Sequence, residues 1–353
     1  MEQAALKNIE LIYEDASTHQ SLLMTVIDAT FAGQFSEKKF FLESEAILQS
    51  SFVEIDSTRY LIGANLGYTA KALIDLEQNI YNLQNVNLVL NENRFKADGK
   101  IELFNTGPSF DLYLDCTEGN VSSVIALLPE QFSKNLGELT SDGNFDFKTY
   151  IKGQATKDLN PEIRTEISLQ NGRIESPRSQ EPLRDVSFTA NFTNGKYRNN
   201  ESTVFEIKNL KGYFNRELFE MRLLVDNFDK PNIDFSMNGA VPMEAVYGLL
   251  NNPKITAGSG EIEIKNLTLK GLYEDMINTN RVSQVQASGE VEFDDASLTI
   301  NDEKMMIDQG RLLLHGDTLL VPEFKLDGAG SDILFKGQAI HIIPRFFCGF
   351  DQS

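Results

Sequence analysis

The chain has 353 residues, of which 41% are hydrophobic, and its 52 acidic and 32 basic side chains give a formal net charge of -20. This apolar content excludes a disordered chain, and the length exceeds that of most single compact cores, so we expect one elongated domain or two to three units. The negative charge argues against nucleic-acid binding and against docking onto anionic lipid headgroups.

Alternation of apolar and polar residues with a period of two dominates the chain and predicts strands with one apolar and one polar face. Continuous runs of Val, Ile and Leu are nearly absent, which favours antiparallel sheets with one face in water. In chain order, the predicted apolar faces carry Phe110, Leu112, Leu114, Phe188, Phe192, Ile233, Phe235, Met237, Ile262, Ile264, Leu267 and Leu269.

Turn signals separate these strands and predict successive hairpins. They are Asp98–Gly99, Asp142–Gly143, Asn171–Gly172, Asn194–Gly195 and Asp327–Gly328. After Ile264 the alternation slips by two residues, at Lys265 and Asn266, and this slip predicts a bulge or a short turn.

Two segments change to helical spacing. Apolar residues at 121, 124, 125 and 128 follow Asn120, a suitable N-cap, and those at 243, 246, 247 and 250 follow Pro242, which suits a first helical turn. Each predicts a short helix with one apolar stripe.

The residues around these predicted helices form an internal repeat with an offset of about 117 to 124 residues. Phe95 corresponds to Phe219, Pro108 to Pro231, Asp111 to Asp234, Gly143 to Gly260 and Gly153 to Gly271. A third copy begins at ILFKGQAIHIIPRFF. We therefore predict three β repeats, at 1–135, 136–254 and 255–353, the first two ending in the predicted helices and the third incomplete.

Three segments resemble the AsmA-like family of bacteria with two membranes, which are relatives of TamB, in the form found in Bacteroidetes-type organisms. They are IYEDASTHQ, LQNGRIESPRSQEPLRDVSFTANFTNGK and PNIDFSMNGAVPMEAVYGLL. The resemblance implies a long, curved antiparallel sheet with an apolar groove. It also implies a periplasmic location with an N-terminal inner-membrane anchor, and a role in outer-membrane biogenesis or phospholipid movement between membranes.

Compared with this family, the chain is expected to be a central fragment that lacks the anchor, with partners at the inner and outer membranes reached through the missing ends. The predicted partner is a phospholipid or another amphiphile, whose acyl chains lie along the apolar strand faces while the headgroup stays in water. No nucleic-acid partner and no cofactor are expected.

Catalytic signatures are absent from the sequence. His19, His315 and His341 stand in no metal-binding or triad pattern, and neither Cys116 nor Cys348 has a metal-ligand neighbour, so we expect a protein that is not an enzyme and holds no metal. Two alternatives remain open. One is a scaffold or surface-interaction protein made of closed β-sandwiches, in which the same apolar residues fill a core. The other is a carbohydrate-active enzyme, which needs two carboxylates placed together.

Overall fold

The computed structural model describes residues 2–16, 20–55, 58–91, 93–120, 140–175, 182–214, 216–243, 255–301, 303–328 and 331–348. The predicted fold class is confirmed: the protein is all-β and repetitive, its strands pair antiparallel, and its helices are short. The chain divides into two compact units, unit 1 (Met1–Leu169 with Phe192–Asn199) and unit 2 (Gln170–Asn191 with Asn200–Ser353). The division into three repeats stays a prediction.

In unit 1, strands adjacent in sequence pair with each other, and β3 pairs with both the short β4 and β5. The strands are β1 (Glu2–Asp15), β2 (Gln20–Gly33), β3 (Lys39–Ile55), β4 (Thr58–Tyr60), β5 (Asn65–Asp75), β6 (Ile80–Leu90), β7 (Asn93–Phe104), β8 (Gly107–Glu118) and β9 (Thr140–Gln154). Strands β10 (Glu162–Glu175) and β11 (Leu183–Thr193) contribute residues to both units.

Unit 2 follows the same scheme of pairing in chain order. Its strands are β12 (Val204–Phe214), β13 (Glu217–Asp226), β14 (Asn232–Pro242), β15 (Ile255–Leu272), β16 (Gln286–Ile300), β17 (Glu303–His315), β18 (Thr318–Gly328) and β19 (Ser331–Ile340). Two helices, α1 (Tyr273–Met276) and α2 (Ile342–Cys348), were not predicted from the sequence.

The predicted helices fall on residues 121–128 and 243–250, and of these positions only Met243 lies inside the described ranges. Met243 is buried in the main core of unit 2 beside Val241, Ile262 and Ile264. This burial agrees with its predicted place on an apolar face.

The internal repeat has a structural counterpart in each unit. In unit 1, Asp111 on β8 faces Lys152 on β9, and their side chains approach to 3.5 Å. In unit 2, Asp234 on β14 faces Lys270 on β15 at 3.0 Å. Since Asp111 and Asp234 are equivalent in the repeat, the two copies share this cross-strand pairing and its ion pair.

Three of the five predicted turns are wrong. Asp98–Gly99 lies inside β7, Asp142–Gly143 inside β9 and Asn171–Gly172 inside β10. The turn at Asn194–Gly195 is confirmed, whereas Asp327–Gly328 is the last pair of β18 and directly precedes the connection to β19.

At Asp98–Gly99 the glycine serves close strand contact rather than chain reversal. Gly99 has φ +141°, and a Cβ at this position would lie 2.1 Å from the carbonyl oxygen of Asp111 on β8. Only glycine fits such an approach, so the Asp-Gly pair marks an irregularity within a strand.

The predicted bulge at Lys265 and Asn266 is confirmed. The β15–β16 register shifts between Lys265 and Thr268, and Asn266 is in the left-handed conformation with φ 50°. Its backbone N–H donates to Asn238 Oδ1 on β14 at 3.1 Å, which satisfies a group that the bulge removes from the ladder. The bulge also keeps Ile264 and Leu267 on one face.

Candidate lipid-binding face

In unit 1, cross-strand pairing brings the apolar side chains of successive strands onto one face. Ala29 on β2 pairs with Ala46 on β3, Ala46 with Tyr68 on β5, Tyr68 with Leu88 on β6, and Leu88 with Phe95 on β7. Directly paired residues in a sheet point to the same side. A single apolar face, called the inner face of unit 1, therefore runs from β2 to β7.

The three predicted lining residues of β8 extend this inner face. Leu114 pairs with Ala97, and Leu112 with Gly99, on β7. Since Phe95 and Ala97 are two residues apart, Leu114 and Leu112 share the side of Phe95. Phe110 follows at the next inward position. The register thus unites the predicted residues of β8 with side chains that lie one to six strands earlier in the chain.

Unit 2 has an inner face of the same kind, and it contains seven of the predicted residues. On β14 and β15, Phe235 pairs with Leu269 and Met237 with Leu267. Ile233 lies on the same side of β14 as Phe235, and Ile262 and Ile264 lie on the side of Leu267, where all three belong to one core cluster. The face continues through Val291 and Phe293 on β16 to Phe324 on β18.

Phe188 and Phe192 lie on β11, on the same side of the strand as Val186 and Ala190, which are buried. Phe188 belongs to unit 2 and Phe192 to unit 1. Both side chains are half-buried.

The exposure of the predicted residues is uneven. Ile262 and Ile264 are buried, at 1% and 6% exposed, whereas the other ten are only half-buried. On β19, Phe335 pairs with Phe324 on the inner face and is 57% exposed. The inner face of unit 2 therefore combines two filled regions, one near Ile262 and one where Ile233 and Leu269 pack against buried Met276, with an apolar surface that is open to solvent at β19.

The opposite face of unit 2 carries a charged network. Lys265 forms ion pairs with Glu263 (3.2 Å) and Glu292, and Arg311 Nε donates to Glu290 Oε1 at 2.6 Å. The hydrogen bond from Arg311 lowers the pKa of Glu290, and the hydrogen bonds to Glu292 and Glu263 raise the pKa of Lys265. Because Lys265, Glu290 and Arg311 are stabilised in their charged forms, this face of the sheet favours contact with water.

An open cavity of about 410 Å³ in unit 1 lies on the polar side of the sheet, away from the predicted residues. Its lining includes Thr30, Glu43, Glu45 and Lys71. Lys71 Nζ bonds Glu43 at 3.0 Å, and Thr30 Oγ1 donates to Glu45 at 3.2 Å. Because these groups are polar and already bonded to each other, we assign the cavity no acyl-chain site.

Searches against protein-family models, curated proteins and solved structures find no match to this chain. Among the described residues, no helix is long and apolar enough to cross a bilayer.

The sequence prediction missed inner-face residues outside the twelve, among them Tyr68, Leu88, Phe293, Phe324 and Phe335. The signal that could have found them is the same period-two alternation, which also runs through β5, β6, β16, β18 and β19. Alternation defines one strand at a time, however, and only the register shows that these faces coincide.

Proposed function

We propose that this protein is a non-enzymatic, AsmA-like segment that shields lipid acyl chains on its inner faces. In this proposal it acts in the periplasm, in outer-membrane biogenesis or in phospholipid transport between membranes. The family and the compartment rest on the sequence resemblance. The mode of binding rests on the alignment of half-buried apolar side chains across successive strands of each unit.

The partial exposure of the inner faces is the observation that carries the proposal. In a closed sandwich, residues such as Phe110, Leu112 and Phe235 would be enclosed by a second sheet. Here they are half-buried, although their strands are flanked on both sides. An acyl chain laid on such a face gains up to about 0.8 kcal/mol for each CH₂ that it buries.

The charged network on the opposite face supports the same orientation. An amphiphile on the inner face lies away from Lys265, Arg311 and their carboxylate partners, so its binding does not remove these ions from water. The net charge of -20 keeps the protein soluble while the apolar face binds. Selectivity for one headgroup is expected to be low, because the recognised part is the acyl chain.

Native mass spectrometry of gently purified protein, followed by solvent extraction, tests the proposal. We expect copurified phospholipid with the wild type and its loss with Phe235→Glu, which places a charge on the inner face of β14. Ser236→Glu is the matched control, since it adds the same charge one residue away on the other face.

Lipid-free wild-type protein that takes up no lipid from micelles would contradict the proposal. Equal lipid content in the two glutamate variants would also contradict it. Phe235→Glu could unfold β14. The comparison is therefore repeated in unit 1 with Leu112→Glu on β8, for which Tyr113→Glu is the control.

A further inference from the structure

A row of exposed apolar side chains follows one end of the sheet in unit 1. In an antiparallel sheet paired in chain order, every second connection lies at the same end. These connections are 34–38, 76–79, 105–106, 155–161 and 194–203, and the part of the last within unit 1 is 194–199. Each has a large apolar side chain in it or directly beside it. We call these side chains the tip row; they are Phe35, Leu76, Leu103, Phe104, Leu159 and Tyr197.

The tip-row side chains are 39% to 61% exposed. Single exposed apolar residues are ordinary on protein surfaces. Here, five successive connections at one end carry such side chains. Neighbouring connections are about 10 Å apart because two strands separate them, so the exposed side chains form one row. Exposed apolar side chains gathered along one end of a sheet in this way indicate an interaction surface.

Hydrogen bonds fix the tip row by joining each connection to the next. The N–H of Leu76 donates to the Lys38 carbonyl (2.7 Å), and that of Leu103 to the Asn79 carbonyl (2.9 Å). Gln154 Nε2 donates to Thr106 Oγ1 (2.6 Å), and Asn160 Nδ2 to the Arg198 carbonyl (3.0 Å). The row is therefore pre-organised, and binding through it costs little ordering of the loops.

The charge of the tip row differs from that of the whole chain. Its five connections, taken to residue 199, carry four basic side chains (Lys38, Lys157, Lys196 and Arg198) and three acidic ones, whereas the chain has a net charge of -20. Lys196 Nζ lies 5.3 Å from the ring centroid of Tyr197. Aromatic and leucine tips beside basic side chains are the composition that favours the membrane interface, where rings sit at headgroup level and cations reach the phosphates.

Unit 2 repeats the local arrangement by itself. Phe228 lies in the β13–β14 connection, and Tyr273 and Ile277 lie in the β15–β16 connection, all exposed. The N–H of Tyr273 donates to the Pro231 carbonyl at 2.7 Å, as the N–H of Ala155 donates to the equivalent Pro108 carbonyl at 2.8 Å. The feature therefore belongs to the repeated unit rather than to one loop.

We propose that the tip row docks onto the surface of a phospholipid bilayer with zwitterionic headgroups. The apolar tips insert at headgroup level, and the local balance of charge avoids the repulsion that the acidic remainder of the chain would meet at an anionic surface. The proposal does not depend on acyl-chain binding by the inner faces, because the residues used to test it, Phe104, Leu159 and Tyr197, lie outside them; Leu103, which pairs with Pro108, continues the inner side of β7 and is left unchanged.

The chain has no tryptophan, so a single introduced one reports its own surroundings. With vesicles of phosphatidylethanolamine and phosphatidylcholine, Phe104→Trp is expected to shift its emission to the blue and to be quenched by brominated phosphatidylcholine. Ile62→Trp is the control, since Ile62 is 50% exposed beside β5 at the opposite end of the sheet. Equal quenching of both variants, or quenching of neither, would overturn the proposal.

Vesicle cosedimentation provides a second readout. The triple variant Phe104→Ser, Leu159→Ser and Tyr197→Ser is expected to bind at least about tenfold more weakly than the wild type, because three apolar tips are lost. Ile62→Ser is expected to bind as the wild type does. Unchanged binding of the triple variant would refute docking through the row, as would wild-type protein that self-associates through these tips and leaves the vesicles unbound. Phe235→Glu should still sediment, which separates this test from that of the proposed function.

Discussion

Replacing two isoleucines by alanine distinguishes a partly open apolar face from a filled core. Ile262 is 1% exposed and lies in the main cluster of unit 2, whereas Ile233, a predicted lining residue on the neighbouring strand, is half-buried. Both changes remove the same three carbon atoms, worth about 2.4 kcal/mol when fully buried, at about 0.8 kcal/mol each.

The two sites should respond differently. At Ile262 the enclosed cavity adds a further cost, so the unfolding free energy should fall by about 3 to 4 kcal/mol. Ile233 packs against the buried cluster of Met276 and Val282, but part of its side chain is already in water. The loss should therefore be about 1 to 1.5 kcal/mol, roughly half of the transfer value.

Urea unfolding of the wild type and both variants, followed by circular dichroism, measures these losses. The denaturant dependence should be the same in all three proteins, so that the midpoints can be compared. Costs that agree within about 0.5 kcal/mol would refute the reasoning, because they would mean that both isoleucines are equally enclosed.

Two further predictions concern stability. Gly239 has φ +112°, and a Cβ there would lie 2.0 Å from the Leu218 carbonyl oxygen, whereas Gly316 has φ +57° and open space around it. Gly239→Ala should therefore lower the unfolding free energy by at least about 3 kcal/mol, and Gly316→Ala by about 1 kcal/mol. Similar urea midpoints for the two variants would contradict this prediction. The hydrogen bond from Arg311 lowers the pKa of Glu290 below its unfolded value of 4.5, so its contribution is fully present above that pH and is lost as the pH falls through the lower folded value. Urea midpoints measured from about pH 6 down to about pH 3 should fall less steeply for Glu290→Gln than for the wild type, and identical slopes would show that this ion pair contributes nothing.

The sequence predicted the type of fold well because each strand carries its own signal. Alternation such as that of Phe110, Leu112 and Leu114 requires only that one face be apolar and the other wet. The bulge at Asn266 was predicted for the same reason, since a slip of the pattern must be absorbed if Ile264 and Leu267 are to share a face.

Turns were predicted less well, because Asp-Gly and Asn-Gly pairs have two uses. At Asp98–Gly99 the glycine admits the backbone of β8, and at Asn171–Gly172 the asparagine takes the left-handed conformation inside β10. Both uses require positive φ, and the local sequence does not say whether the chain then reverses.

The candidate site was predictable only as separate strand faces. That Leu112 and Tyr68 share one inner face follows from a register that spans many residues, and that Phe235 is half-buried while Ile262 is enclosed depends on neighbouring strands. The tip row was missed because Phe104, Leu159 and Tyr197 obey no period. Their signal is an isolated large apolar residue within or beside a polar turn.

Photo-crosslinking to lipid tests the central claim most directly. A photoreactive phenylalanine analogue is placed at Phe235 or Leu112 on the inner faces and, as controls, at the adjacent Ser236 or Tyr113, and the protein is irradiated with radiolabelled phospholipid in solution. We expect labelled protein from the two inner positions and little from the controls. Equal labelling of both faces, or no labelling of either inner position, would contradict acyl-chain binding.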